Sequence, residues 1–160
     1  MDGSRRLGDG SGGQAPPLDV SETARELRYE LATRPNDLDA LGHVNHAVVL
    51  EYLEAARWDF AHRLGVEMSG RTAAVVSRVE IDYLGQIFPG QVEVTTGFCG
   101  LDADWREGLN YKIVLEQSIR AEGGESVLAR ARVSLAFVDL ATGEVRALQD
   151  WLQASPSEGA

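Results

Sequence analysis

The sequence predicts an α+β domain in which one long amphipathic helix packs against a single, mainly antiparallel sheet. Two observations carry that expectation. The apolar period shifts once from two to between three and four, and after it returns to two it stays there through four successive segments. With no helices between those later segments there are no βαβ crossovers to build a parallel sheet, so a two-layer arrangement with the helix wrapped by five strands is expected.

The elements follow in order. Leu27, Tyr29 and Leu31 alternate with Glu26, Arg28 and Glu30 as a half-buried strand. From His46 to Leu64 the apolar positions Val49, Tyr52, Leu53, Ala56 and Phe60 recur at helical spacing, with Glu51, Glu54, Asp59 and His62 toward the other faces and Gly65 as the stop. Val75, Ser77, Val79, Ile81 and Tyr83 then alternate with Val76, Arg78, Glu80 and Asp82, and Val92 to Phe98 mark the next strand after a Pro89-Gly90 turn. A fourth strand runs through Leu109, Tyr111, Ile113, Leu115 and Ile119, and a fifth from Val127 to Phe137, joined through Glu122-Gly123-Gly124-Glu125 as a hairpin. These last four strands are expected to pair in sequence as a meander. Residues 1–21 and 153–160 are rich in Gly, Ser and Pro and short of large apolar groups, so they read as flexible tails around one domain over 22–152.

Composition narrows the function. Fifteen Lys and Arg against twenty-five Asp and Glu give a formal charge of −10, a field that repels nucleic acid and anionic membrane surfaces. The single cysteine, Cys99, has no intramolecular partner for a disulfide, and no apolar run approaches the roughly 20 residues of a membrane span or the core of a secretory signal. A cytoplasmic location follows as an expectation.

Chemistry concentrates between the first strand and the helix. From Asp37 to His46 the chain reads Asp-Leu-Asp-Ala-Leu-Gly-His-Val-Asn-His, two carboxylates, two imidazoles and an amide in ten residues. The start of a helix supplies unpaired N–H groups and the positive end of its dipole, which suits an oxygen gaining negative charge. A carboxylate beside it can attack a thioester or draw a proton from water. Asp37 reads as a structural partner of Arg34, and Asn45 as ordering the turn through backbone bonds. Asp39 is equally explicable from its spacing as a turn or capping carboxylate. Glu54 and Arg57, three apart, read as a surface ion pair. Trp58 and Trp105 read as packing or interface groups, and Cys99 as an inert small residue on a strand. Ser69-Gly70 lacks the pattern of a nucleophile elbow.

The stretch Asp37 to His46, followed by Glu51-Tyr-Leu-Glu-Ala-Ala-Arg57, resembles the signature of the 4-hydroxybenzoyl-CoA thioesterase-like hot-dog enzymes, and the order of one strand, one helix and four strands agrees with that fold. The resemblance spans about residues 25–152 and implies hydrolysis of acyl-CoA or acyl-carrier-protein thioesters with no metal and no organic cofactor. It makes Asp39 the catalytic carboxylate. Gly42 falls in the turn that brings a backbone amide to the thioester carbonyl, and Val44 and Asn45 lie beside it on the substrate side. His46 takes the position whose backbone N–H contacts the oxyanion; an imidazole role for it, placing water or steadying Asp39, is preferred slightly to a purely backbone one. His43 is a further candidate, and Glu54 a distal helical carboxylate. The asparagine of the Asp-x-Asn-x-His triad of plant acyl-carrier thioesterases is replaced by Leu41.

Arg78, Arg130 and Arg132, with Arg120, are expected to form a local basic patch for the phosphates of the carrier. The resemblance also implies obligate dimers, often paired into tetramers. Two other readings use the same site: an enoyl-thioester hydratase or dehydratase, and a non-catalytic acyl-thioester-binding protein.

Overall fold

A computed structural model describes residues 26–64, 72–99 and 110–148. In chain order its elements are β1 (Leu27–Ala32), a 3-10 turn (Pro35–Asp37), α1 (His46–Arg63), β2 (Thr72–Tyr83), β3 (Gln91–Phe98), β4 (Lys112–Ala121), β5 (Ala129–Asp139) and β6 (Val145–Arg146). Gly65, Ser69-Gly70, Trp105, Leu109 and both expected tails lie outside the described residues.

Each side of the expected alternation appears as a face. β1 alternates strictly between half-buried and exposed positions, turning Leu27, Tyr29 and Leu31 inward. On α1 the five apolar positions read from the period, Val49, Tyr52, Leu53, Ala56 and Phe60, are all buried. They meet Val92 and Val94 of β3, Leu115 and Ile119 of β4, and Ala129, Ala131 and Val133 of β5 in one core. The backbone of α1 runs nearest β3 and β1, and the small Ala129 and Ala131 at the start of β5 complete the core.

The sheet order is β1-β3-β4-β5-β2, antiparallel throughout, with β6 adding two residues to β5. The expected four-strand meander therefore holds only for β3, β4 and β5. β2 pairs with β5 at the far edge, Thr72 opposite Asp139 through Tyr83 opposite Ala129, and Pro89-Gly90 ends a crossover rather than a hairpin. The crossover must pass two strands, roughly 14 Å from β2 to β3, which seven residues can reach in extended form. Period two specifies which side chains share a face; it carries no information about which strand lies next door. β6 is a further difference, too short for any periodicity to mark.

A register shift between Val76 and Arg78 also breaks the alternation assigned to β2. Val76 stands opposite Leu135 and Val79 opposite Val133, both on the helix side, whereas Val75 stands opposite Ala136 on the outer face. The bulge thus separates Val75 from Val79, which the simple alternation put together.

One end of the sheet gathers everything of chemical interest. The loop 33–45, the start of α1, the crossover 84–90 and the hairpin 122–128 meet there through backbone bonds: Val44 N–H donates to the Ile87 carbonyl at 2.8 Å, Thr33 N–H to Gly90 at 2.9 Å, and Leu84 N–H to Leu128 at 2.9 Å. Gly85 permits the last of these, because a Cβ there would stand 2.9 Å from the Leu128 side chain. Among the described residues no helix is long and apolar enough to cross a membrane.

Candidate active site

The loop before α1 is strapped at its base. Asn45 N–H donates to the Asp37 carbonyl at 2.8 Å, Leu38 and Val44 form a bridge, and Asp39 N–H donates to the His43 carbonyl at 2.9 Å. Asp37 itself is 3% exposed. Its carboxylate accepts from the Tyr52 hydroxyl at 2.5 Å and from the Arg34 amide at 2.7 Å, and pairs with the Arg34 guanidinium at 2.9 Å. Burial acts to raise this carboxyl, but the bonds from Tyr52 and Arg34 outweigh it and hold the group below the ordinary carboxylate value. Burial and the same contact push the Tyr52 hydroxyl up.

Asp39 sits at the tip of the strapped loop. Its Oδ1 accepts from Leu41 N–H at 2.8 Å, an Asx turn, and its Oδ2 faces His43 Nδ1 at 3.3 Å. Gly42 closes the turn in the left-handed region, φ 81°, with its N–H on the Asp39 carbonyl at 3.1 Å. A residue with a Cβ pays for that conformation, so the glycine is a backbone requirement. The Asp39 carboxylate is thus held from two sides and remains partly open, its side chain 27% exposed.

α1 starts beside it. Asn45 caps the helix, accepting from Ala47 N–H on Oδ1 at 2.9 Å. Val44 is buried, and so packs under the turn. His46 is the first helical residue, and its N–H meets no acceptor among the described residues. That amide lies at the positive end of an 18-residue helix, where an oxygen acquiring charge would be stabilised. The His46 imidazole does not reach toward Asp39 for support: it meets the ring of Tyr83 edge to face, centroids 6.3 Å apart. His43, rather than His46, supplies the imidazole beside the carboxylate.

The remaining expected residues are dispersed. Glu54 is exposed, eight residues or roughly 12 Å along α1 from His46. It forms no ion pair with Arg57, a correction to the surface-pair expectation. Arg57 points to the sheet flank of the helix, where Nη1 donates to Gln117 Oε1 at 3.0 Å, and the buried Gln117 amide in turn donates to the Leu53 carbonyl and to Thr96 Oγ1, both at 2.9 Å. Burial lowers the Arg57 guanidinium, with only the charge of Glu54 opposing.

Arg78, Arg120, Arg130 and Arg132 do share the face of the sheet that points away from the helix, but acids share it with them. Glu93 stands opposite Arg120, Asp82 opposite Arg130, and Glu80 and Glu116 opposite Arg132. Arg78 pairs with Glu80 at 2.7 Å. The face is a mixed checkerboard instead of a basic patch, because same-parity positions on neighbouring strands carry opposite signs. Cys99 accepts there from Arg132 at 3.1 Å, and Trp58 is exposed on α1.

Two residues near the site carry no signal in the linear sequence. Tyr52 was legible only as an apolar helix position, yet its hydroxyl anchors Asp37. Tyr83, at the end of β2, donates its hydroxyl to the His46 carbonyl at 2.9 Å.

Comparison with known proteins bears on the family and the fold. Among curated proteins none matches the chain. Solved structures do: the PA2801 protein from Pseudomonas aeruginosa is 24% identical, with a TM-score of 0.69 over 82% of this chain and 98% of that one. YbaW, a probable thioesterase from Escherichia coli, is 27% identical, with a TM-score of 0.65 over 79% and 93%. A DHNA-CoA thioesterase from Staphylococcus aureus is 20% identical, with a TM-score of 0.69 over 81% and 87%. A family model described as the thioesterase-like superfamily matches residues 33–155. On that match the chain belongs to the thioesterase-like superfamily, a thioester hydrolase on the hot-dog fold.

Proposed function

We propose that the protein hydrolyses acyl-CoA thioesters, with Asp39 as nucleophile or general base and the His46 N–H as the oxyanion donor. The observation that carries this reading is that one strapped loop carries a partly open carboxylate and leads directly into a helix start whose first amide meets no acceptor among the described residues. The thioester carbonyl oxygen would accept from the amide. Asp39 would then either attack the carbonyl carbon, expelling the thiolate and leaving an anhydride that water opens, or take a proton from the water that attacks. His43, on Oδ2, orients the carboxylate and leaves its other lone pairs for the reaction. The CoA carrier is favoured by the substrate named for the staphylococcal neighbour; acyl carrier protein is the alternative.

A homodimer, or a tetramer made of two, is part of the same proposal. Among the described residues β2 is a 12-residue edge strand paired on one side only, and Val75, Val76 and Val79 on it are exposed. Such an edge is normally covered, and a second copy covers it without new chemistry.

Free-thiol release, measured across short, branched, aromatic and long acyl-CoA substrates with wild type and Asp39→Asn, tests the reading. Release by the wild type and its near-complete loss in the variant are expected. Equal release by both proteins would sink it.

A further inference from the structure

The geometry points to Tyr83 as a positioning residue for His46, so that edge strand β2 takes part in setting the candidate oxyanion site. The inference rests on the hydrolase reading above. Tyr83 ends β2, the strand that the crossover carries to the far edge of the sheet, and it makes two separate contacts with the first residue of α1. Its hydroxyl donates to the His46 carbonyl at 2.9 Å. Its ring stands at 86° to the imidazole, centroids 6.3 Å apart.

Neither contact is needed to build the helix. A carbonyl in the first turn already accepts from the amide four residues on, and Tyr83 is 47% exposed, so its hydroxyl is not there to satisfy a buried group. What the contacts do is restrict one residue. The first turn of a helix frays because its leading N–H groups have no intrahelical partners. Asn45 restrains this turn on one side by accepting from Ala47 N–H. Tyr83 restrains it on the other by holding the His46 carbonyl, while its ring lies edge-on to the imidazole. With the carbonyl held and the capping residue held, the His46 N–H between them keeps its aim. A donor preorganised for an oxyanion loses effect when it wanders, so this restraint belongs to the turnover step and not to ground-state binding.

The test uses the full chain and two variants. Tyr83→Phe keeps the ring and removes the donor; Tyr83→Leu removes both. Tyr83→Phe is expected to lower kcat roughly 2- to 10-fold at unchanged KM, the scale of one hydrogen bond, and Tyr83→Leu to lower it further. In the same samples the His46 carbonyl-carbon resonance should move upfield in Tyr83→Phe as its hydrogen bond is lost. The His46 ring resonances should shift in Tyr83→Leu, with those of His62 as the unmoved reference. An unmoved His46 carbonyl resonance, or a wild-type kcat in Tyr83→Phe, overturns the assignment. A rise in KM at constant kcat also overturns it, since Tyr83 would then contact substrate. If the wild type releases no thiol from any acyl-CoA, the hydrolase reading fails by itself, and the carbonyl resonance still decides whether Tyr83 holds His46.

Discussion

The Tyr52 hydroxyl on α1 donates to Asp37 Oδ2 at 2.5 Å, and through that bond the core-facing side of the helix holds the base of the loop that carries Asp39. Asp37 is buried and its carboxyl is held below its ordinary value, so its contribution to stability is fully present above the unfolded carboxylate pKa of about 3.9 and is lost as pH falls through the lower folded value. Asp37→Asn should therefore destabilise the fold by about 2–4 kcal/mol at neutral pH. The gap in melting temperature between wild type and variant should narrow on acidification below about pH 4. A gap that stays constant down to the acid limit would show that the charge of Asp37 contributes nothing.

Replacing Asp39 by Asn keeps the shape of the side chain and its bond from Leu41 but removes the nucleophile or base. Turnover should fall by about 10² or more with melting temperature and KM nearly unchanged. Retention of more than about a tenth of wild-type kcat would show that the reaction runs elsewhere.

The two histidines should separate cleanly. His46→Ala keeps the backbone N–H, the helix dipole and the carbonyl that Tyr83 holds but loses the ring contact, so it should cost only a few-fold, whereas His43→Ala frees Asp39 Oδ2 and should cost on the order of 10-fold or more in kcat. The reverse ranking in steady-state kinetics would place the working imidazole at His46, as the sequence reading preferred.

Gln117 and Arg57 give a stability test independent of activity. Gln117→Leu leaves the half-buried guanidinium without its acceptor and should cost about 1–3 kcal/mol in chemical denaturation. Adding Arg57→Met should restore much of that loss, because removing both polar partners avoids the stranded charge. A double variant no more stable than the single one would mean that the network stabilises by packing alone.

Light scattering should report a dimer or tetramer at micromolar concentration, and Val79→Asp, which puts a charge on the exposed edge strand, should shift the population toward monomer. A wild-type monomer under those conditions would remove the proposed assembly.

Local order was legible from the chain itself. The helical spacing of Val49, Tyr52, Leu53, Ala56 and Phe60 named the buried side of α1, and the alternation of Leu27, Tyr29 and Leu31 the inner side of β1. Those periods are properties of a few consecutive residues and need no knowledge of the partner. Part of the loop was legible for the same reason: the Arg34–Asp37 pair and the turn-ordering role of Asn45 act within a handful of positions.

Tertiary structure decided what lies beside what. β2 alternates in a way that suits any neighbour, so only the packing of the whole sheet put it against β5 and delivered Tyr83 to His46. Arg57 lies three positions from Glu54, which suggests a surface pair, yet the rotation of the helix on its sheet gave it to Gln117, 60 residues away. The arginines on the outer face could be placed there by parity, but the acids opposite them depend on register. Sequence thus determined the helix, the five long strands and most of their buried faces, because short-range sterics and periodicity specify them, while β6 and the bulge in β2 escaped it. The strand order and every contact across it came from the fold, because burial of one shared core chooses among arrangements that the local sequence leaves equivalent.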